Sequence, residues 1–199
     1  MSTALDEYEH KEYFTYADFL EWDEDVRAEI IHGVVYMMNT PLTIHQRIAG
    51  RLYVKFFSFL EGKTCEAFMA PLSVRLFPRK DNSDDTVVVP DLVVICDPEK
   101  IDERGCNGAP DLIIEILSPS NSRKDRFLKF DLYLKAKVRE YWVVHPQNQE
   151  IEVHTLDKNH YVTKVYGINQ NDTQEEMKVS EVIPVSVLEG LEIDVKDIF

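Results

Sequence analysis

The sequence lacks the features that mark membrane-spanning proteins, secreted proteins and proteins with a structural zinc site. No apolar run approaches the roughly 20 residues that a membrane-spanning helix needs. The opening stretch, MSTALDEYEHKEYF, has mixed charge and no apolar segment before a small-residue cleavage site, so a signal peptide is not expected. The three cysteines are odd in number and form no CxxC pair, which argues against a disulfide framework and a structural zinc. We therefore expect a soluble protein of the reducing cytoplasm.

Basic residues are also in short supply. The chain has 22 Lys and Arg against 36 Asp and Glu, which gives a net charge of −14. Proteins that bind duplex DNA through many phosphates usually have a basic surface, because phosphate neutralisation supplies much of the affinity. The acidity therefore counts against a protein that binds duplex DNA, although it is also common among soluble proteins of other functions.

The length and composition fit one globular domain. A chain of 199 residues, 44% of them hydrophobic and 29% charged, is long enough for one core and short for two. No internal repeat or linker divides the sequence. We predict a single domain over residues 1–199.

The spacing of apolar residues predicts alternating strands and helices. The predicted helices are 16–22, 44–60 and about 123–136. The predicted strands are a hairpin at 28–38, an alternating strand at 72–77, two central strands at 86–96 and 111–117, a buried strand at 140–146 and a second hairpin at 151–156 and 161–166. This order predicts an α/β fold with a mixed central sheet flanked by helices, an N-terminal hairpin and additional C-terminal strands.

Two carboxylates interrupt strands that are otherwise apolar. Asp91 lies within TVVVPDLVVIC, and Glu115 lies within DLIIEIL. A buried carboxylate is costly unless it is paired or binds a metal, and a single one would be interpreted as a satisfied hydrogen bond or ion pair. Two on consecutive central strands favour a shared site. Neighbouring strands lie about 4.8 Å apart, so the two side chains can converge if their strands sit side by side.

A third carboxylate, Asp111, lies on the same strand face as Glu115. Four residues of strand separate their Cα atoms by about 13 Å, too far for both to chelate one ion. We therefore assign Asp111 a role at the strand entry and give the site to Asp91 and Glu115. Hard oxygen donors without sulfur or clustered histidines favour Mg²⁺ or Mn²⁺ over zinc.

The pattern of these residues resembles a known nuclease family. Pro90-Asp91, 23 further residues and then Glu115-Ile116-Leu117 are similar to the PD-(D/E)xK nuclease motif. The surrounding sequence, over residues 12–160, resembles the Uma2-like restriction endonuclease family, which is also called DUF820. The similar segments are EIIHGVVYMM, HQRI, PDLVVI, RGCNGAPDLIIEILSPSNSRKD and KFDLYLKAKVREYWVVHP. The resemblance implies a restriction-endonuclease-like domain, with 161–199 as a C-terminal extension, that hydrolyses DNA with the help of Mg²⁺ or Mn²⁺.

The resemblance also assigns the metal ligands. Asp91 and Glu115, together with Glu29 and the Ile116 carbonyl, would hold one or two ions. Glu29 lies in the first hairpin, where the residues alone favour a surface strand carboxylate equally.

The motif lysine is missing from its expected place. It belongs two residues after the glutamate, where this chain has Leu117. The resemblance implies that a helical lysine substitutes, and the candidate is Lys129, which shares a helical stripe with Asp125 and Tyr133. On the residues alone, a solvated charge or an Asp125–Lys129 salt bridge is the better interpretation.

Two further features could assist a nuclease. His45, at the start of the long helix, could orient the substrate or a water molecule, although helix-start histidines are more often capping or surface residues.

Segment 123–139 holds seven of the 22 basic residues in 17 positions and could offset the acidity beside the site. A solvated helix of mixed charge explains most of them equally well, and Lys135 and Lys137 need no function.

Three functions stay open on the sequence. We favour a metal-dependent DNA endonuclease over a nuclease-fold binding or scaffold protein and over a hydrolase of RNA or small nucleotides. The intact acidic pair argues against the scaffold, because an unused buried carboxylate only costs stability. The acidity argues for weak, short or partner-assisted contact with nucleic acid. A homodimer is an option by analogy, because enzymes of this fold often pair to cut both strands.

Overall fold

The computed structural model describes residues 11–23, 25–118, 123–168 and 180–199, with the backbone alone at 123–125. These residues form three α-helices: α1 (Tyr16–Phe19), α2 (Thr43–Leu60) and α3 (Arg123–Ala136). None of the three is long and apolar enough to cross a membrane. Two short 3-10 turns lie at Pro98–Lys100 and Val195–Asp197.

Most strands belong to two mixed six-stranded sheets. The strands among the described residues are β1 (Ala28–Ile31), β2 (Val34–Met37), β3 (Glu66–Met69), β4 (Ser73–Arg75), β5 (Val87–Val88), β6 (Leu92–Ile95), β7 (Ile101–Asp102), β8 (Gly105–Asn107), β9 (Leu112–Ile116), β10 (Glu140–His145), β11 (Glu150–Asp157), β12 (His160–Gly167), β13 (Val182–Pro184) and β14 (Glu192–Asp194). The first sheet has the order β2-β1-β5-β4-β8-β7 and the second β12-β11-β10-β9-β6-β3, while β13 and β14 pair as a hairpin.

The register at the centre of the second sheet positions the two motif carboxylates. Strand β9 pairs with β6 antiparallel, and Leu92 lies opposite Ile114. Asp91 immediately precedes β6 and therefore lies beside the end of β9 that carries Glu115. The two strands sit side by side, which is the condition under which the sequence predicted a shared site. The Asp91 carboxylate contacts His45 of α2, whereas the Glu115 carboxylate contacts Lys129 of α3.

Both faces of the second sheet are covered. Helix α2 packs on one face, and its buried residues, spaced three or four apart, are His45, Ile48, Ala49, Leu52, Phe56 and Leu60. Helix α3 and the first sheet cover the other face, where Leu132 and Tyr133 pack with Val74, Val88 and Ile113. Glu115 projects from the same face as Ile113, because side chains alternate along a strand. The glutamate therefore points toward α3 and the first sheet.

The long helix and the N-terminal hairpin are close to the prediction. Helix α2 extends to Leu60, as expected, but Ile44 at its start is 37% exposed and lies outside the buried stripe. The hairpin turns at His32 and Gly33, whose φ angles of 52° and 77° are the positive values that a two-residue type I′ turn needs. The first helix is shorter than predicted and ends at Phe19.

The predicted central strand 86–96 is wrong as one element. It is divided into β5, in the first sheet, and β6, in the second. Pro90 lies between them, and a proline has no N–H to continue a strand ladder. The chain therefore crosses from one sheet to the other at Pro90 and Asp91 and enters the second sheet at Leu92. Strands β3, β7 and β8 were not predicted, because they are short and show little apolar alternation.

The expectation of unpaired cysteines is also wrong. Cys65 and Cys96 form a disulfide across 31 residues of sequence, whereas Cys106 is free and buried. Strands β3 and β6 are antiparallel with Glu66 opposite Ile95, so the next pair outward is Cys65 and Cys96. Only the register brings these two together, and cysteine spacing does not reveal it. The cysteines therefore give no support to a reducing compartment.

Candidate active site

The candidate site lies where the two sheets meet. Glu29 projects from β1 of the first sheet, and Asp91 stands at the entry of β6 in the second. Glu115 is the fourth residue of β9, and Lys129 is carried by α3. The structure thus brings together the charged side chains that the sequence placed in one site, from four separate segments of the chain.

Asp91 is held by the backbone of the neighbouring strand and by a histidine. Its Oδ2 accepts a hydrogen bond from the Ile116 amide at 2.7 Å, and His45 Nε2 lies 3.1 Å from the same oxygen. His45 occupies the first turn of α2 and is buried. Burial lowers the pKa of the His45 imidazole, but the hydrogen bond to Asp91 and the charges of Asp91 and Glu115 outweigh it, so the pKa is raised overall.

Glu115 is held through one oxygen only among its described contacts. Its Oε1 accepts hydrogen bonds from Lys129 Nζ at 2.8 Å and from the Tyr133 hydroxyl at 2.6 Å. Burial raises the pKa of the Glu115 carboxyl, Lys129 opposes that effect, and the charges of Glu29 and Asp91 add to it. The net pKa is raised, so the deprotonated carboxylate is costly in this place.

Lys129 connects Glu115 to the first sheet. Its ammonium donates to Glu29 Oε1 at 2.9 Å, and the same Glu29 oxygen accepts the Val89 amide at 2.8 Å. Burial lowers the pKa of Lys129, but the two carboxylates outweigh it and raise the pKa overall, so the side chain stays cationic. The sequence also allowed a salt bridge between Asp125 and Lys129. The side chain of Asp125 lies outside the described residues.

The cluster of Glu29, Asp91, Glu115 and Lys129 brings three carboxylates to one ammonium, with the His45 imidazole beside Asp91. The hydrogen bonds from described residues reach only Oδ2 of Asp91 and Oε1 of each glutamate. A group of largely buried carboxylates whose other oxygens have no described donor is suited to a cation.

The residues suit a metal site with few protein ligands better than a site with many. Within the described part of the chain, no three His, Cys, Asp or Glu side chains are grouped so that they could hold one ion. Mg²⁺ is commonly bound by one or two carboxylates and keeps several waters. Asp91 and Glu115, with the adjacent Ile116 carbonyl, supply such a set. Glu29 is engaged with Lys129 and Val89, and its role as a ligand stays a prediction.

The remaining charged residues of this region serve other partners. Asp111 lies at the strand entry, as predicted, where it accepts the Cys96 amide and pairs with Arg139. The described basic side chains of segment 123–139 all have partners, although the partner of Lys137 is the neutral amide of Asn159. The other pairs of the segment are Arg126 with Glu152 and Lys135 with Asp131.

Tyr133 was assigned no role in the sequence analysis, although the signal was present. Tyr133 lies four residues after Lys129, so both side chains project from one stripe of α3. This stripe was used in the sequence analysis only to nominate Lys129. That a buried hydroxyl needs a partner was the further clue, because buried Tyr O–H groups are usually hydrogen-bonded.

The fold and the charged cluster together define a restriction-endonuclease-like α/β protein. The Uma2 family model, described as "Putative restriction endonuclease", matches residues 16–195. The chain belongs to this family. The match extends past the segment 12–160 that carried the resemblance and takes in most of the C-terminal extension.

Two relatives are consistent with this assignment. The chain is 29% identical to the uncharacterized protein slr1290 of Synechocystis sp. over 140 residues, which cover 69% of this chain and 71% of that protein. It also resembles the crystal structure of a "putative nuclease belonging to DUF820" from Anabaena variabilis, with a TM-score of 0.71 and 24% identity. That likeness covers 94% of this chain and 97% of the other, and at this identity it confirms the fold.

Proposed function

We propose that this protein is a divalent-metal-dependent endonuclease that hydrolyses phosphodiester bonds of DNA in the cytoplasm. Mg²⁺ or Mn²⁺ would be held by Asp91, Glu115 and the Ile116 carbonyl, with Glu29 at the margin. The observation that carries the proposal is the meeting of Asp91, at the entry of β6, with Glu115, on the neighbouring strand β9, in a largely buried cluster of carboxylates around Lys129. Family membership supports the same reaction class.

Each component of the site has a chemical task in this proposal. A bound divalent ion lowers the pKa of a water molecule and neutralises charge that develops on the phosphate. The Lys129 ammonium donates to two described carboxylates, and its third N–H can meet a phosphate oxygen or the attacking water. His45 contacts Asp91 Oδ2 and thereby fixes the orientation of that carboxylate.

The charge of the chain determines how DNA would be engaged. A net charge of −14 and the internal pairing of the basic residues on α3 leave few cations for the phosphate backbone. Affinity that does not depend on many phosphate contacts should vary little with salt. We therefore expect weak contact with a short stretch of DNA, aided by a partner or by a second copy of the chain.

The direct test is cleavage of supercoiled plasmid in Mg²⁺ or Mn²⁺. Asp91→Asn and Glu115→Gln should each reduce the rate by about 10³-fold or more, because a metal supplies several kcal/mol of transition-state stabilisation. Asp111→Asn is the matched control, since Asp111 lies just before the same strand and binds Arg139 instead. If Asp91→Asn and Glu115→Gln cleave as fast as the control, the proposal is wrong. Parallel reactions with RNA and dinucleotides separate a DNA enzyme from a hydrolase of other phosphodiesters.

A binding or scaffold protein is the second candidate. It is favoured by the Lys129 ammonium, which already bridges Glu29 and Glu115 and so compensates part of their charge without an ion. In that case, wild-type protein would retain nucleic acid or a protein partner in a pull-down and cleave no substrate. Asp91→Asn would then leave binding unchanged.

A further inference from the structure

We infer that Tyr133 is a positioning residue which, together with Lys129, replaces the missing lysine of the strand motif. The Tyr133 hydroxyl holds the Glu115 carboxylate in one orientation and, through it, the Lys129 ammonium. The inference rests on the proposed function, because it names how that site is kept in order.

The contacts of Tyr133 make it a rigid anchor. Its side chain is fully buried, and its ring packs edge-on against Tyr141 with 4.9 Å between centroids. The hydroxyl donates to Glu115 Oε1 at 2.6 Å. A packed phenol has two side-chain torsions and cannot swing away, so the position of its oxygen is fixed by the core.

Lysine alone is a poor substitute for a strand-borne motif lysine. A lysine at the position of Leu117 would be held by the same strand backbone as Glu115, two residues away. Lys129 instead reaches the carboxylate from a helix through a long, flexible side chain. A second tie between α3 and Glu115 is therefore needed, and Tyr133, one turn after Lys129, supplies it.

The shared acceptor has a consequence for Glu115. Lys129 and Tyr133 both donate to Oε1, so rotating the carboxylate would break two hydrogen bonds at once. The orientation of Oε2 is thereby fixed, and among the described residues no donor reaches it. Glu115 thus offers a single oxygen to a cation, in a direction set by α3.

Tyr133→Phe removes the hydroxyl and keeps the ring. In metal titrations of the free protein by calorimetry, Mn²⁺ affinity should fall by about 10- to 100-fold, the usual effect of losing an outer hydrogen bond to a ligand. Tyr161→Phe is the matched control, since the Tyr161 hydroxyl donates to the Val138 carbonyl at 2.9 Å. It should bind Mn²⁺ like the wild type. Equal losses in both variants would indicate general destabilisation and overturn the inference.

A second readout needs neither metal nor substrate. In metal-free protein, acetylation by an activated ester should be slow at Lys129, whose side chain is 18% exposed, and fast at Lys135, which is 59% exposed. Tyr133→Phe should raise acetylation of Lys129 by about 10-fold, the equivalent of one hydrogen bond to a charged group, without changing Lys135. Mass spectrometry of the labelled peptides gives both rates.

The two readouts separate the inference from the proposed function. If the wild type binds no Mn²⁺ and cleaves no phosphodiester, the proposed function fails, and the labelling still decides whether Tyr133 holds the lysine. If Tyr133→Phe leaves both Mn²⁺ affinity and Lys129 labelling at wild-type values, the inference is wrong although the nuclease stands.

Discussion

Two buried ion-paired clusters in the described part of the chain are built on opposite principles. In the first sheet, Arg75 binds Asp84 through two hydrogen bonds of 2.6 and 2.9 Å, and the Arg79 amide also donates to Asp84. Both Asp84 oxygens are used, and one cation matches one anion. In the candidate site, Lys129 serves both Glu29 and Glu115 and leaves the second oxygen of each without a described donor.

The difference separates a structural cluster from the one that we propose to be functional. The hydrogen bond to Asp84 raises the pKa of Arg75 and outweighs the opposing effect of burial, so the arginine stays charged beside its partner. Glu115 keeps a raised pKa despite Lys129, because burial and the neighbouring carboxylates disfavour its charge. Natural proteins retain such unfavourable charge where it is needed for function. Charge balance and oxygen use are therefore better guides to an active site than burial alone.

Glu140 extends the comparison to a carboxylate without a cation. It is fully buried in β10, where Trp142 Nε1 donates to its Oε1 and the Val187 amide donates to its Oε2. Both oxygens are occupied by neutral donors, so the side chain ties the C-terminal segment to the sheet. By the same criterion, Glu140 is structural.

The largest expected effect follows from disrupting the balanced pair. Asp84→Asn should lower the free energy of unfolding by about 3 kcal/mol, because it leaves Arg75 buried with an uncompensated charge. Glu115→Gln should not destabilise the protein, since the glutamine oxygen can still accept from Lys129 and Tyr133. Urea denaturation of both variants near neutral pH measures the contrast. A Glu115→Gln loss as large as that of Asp84→Asn would mean that the two clusters are alike.

A smaller effect concerns the pH dependence of stability. The pKa of Glu115 is raised in the folded protein, so the folded state favours its protonated form. The stabilisation that this proton brings is present below the ordinary carboxyl pKa and is lost as the pH rises through the raised value. Glu115→Gln should therefore gain stability relative to wild type between about pH 5 and about pH 8. Thermal unfolding across this range measures the difference. If the stability of Glu115→Gln relative to wild type increased toward acid pH instead, the raised pKa of Glu115 would be refuted.

The smallest effect is expected at an exposed pair on the same helix as Lys129. Lys135 lies 2.7 Å from Asp131 at i and i+4, and both side chains are more than half exposed. Lys135→Ala should change the free energy of unfolding by less than about 0.5 kcal/mol and leave plasmid cleavage intact. Denaturation and cleavage assays check both values. A marked loss of cleavage would show that α3 binds DNA through its general charge, not through Lys129 alone.

Much of the fold was predictable, because long periodic segments carry it. The apolar stripe of α2, the continuous apolar runs of β9 and β10 and the turn at His32-Gly33 each determine one local structure. The break at Pro90 was underestimated, since the valines before it and the apolar residues after it read as one strand. The partners of a strand depend on the whole sheet, and no local pattern specifies them.

The residues of the candidate site were predictable, but the hydrogen bonds among them were not. Asp91 and Glu115 stand out as charges in apolar strands, yet Glu140 does so too and proves structural. What separates them is the number of donors around each carboxylate, which depends on side chains distant in sequence. The part played by Tyr133 was hidden for the same reason, because its hydroxyl finds Glu115 only after α3 has docked.

The central claim is that Asp91 and Glu115 share one divalent cation. A crystal soaked in Mn²⁺ and measured at the manganese absorption edge tests it most directly. The account predicts an anomalous peak between Asp91 and Oε2 of Glu115, beside the Ile116 carbonyl. No peak there at saturating Mn²⁺, with Lys129 still bridging Glu29 and Glu115, would contradict it.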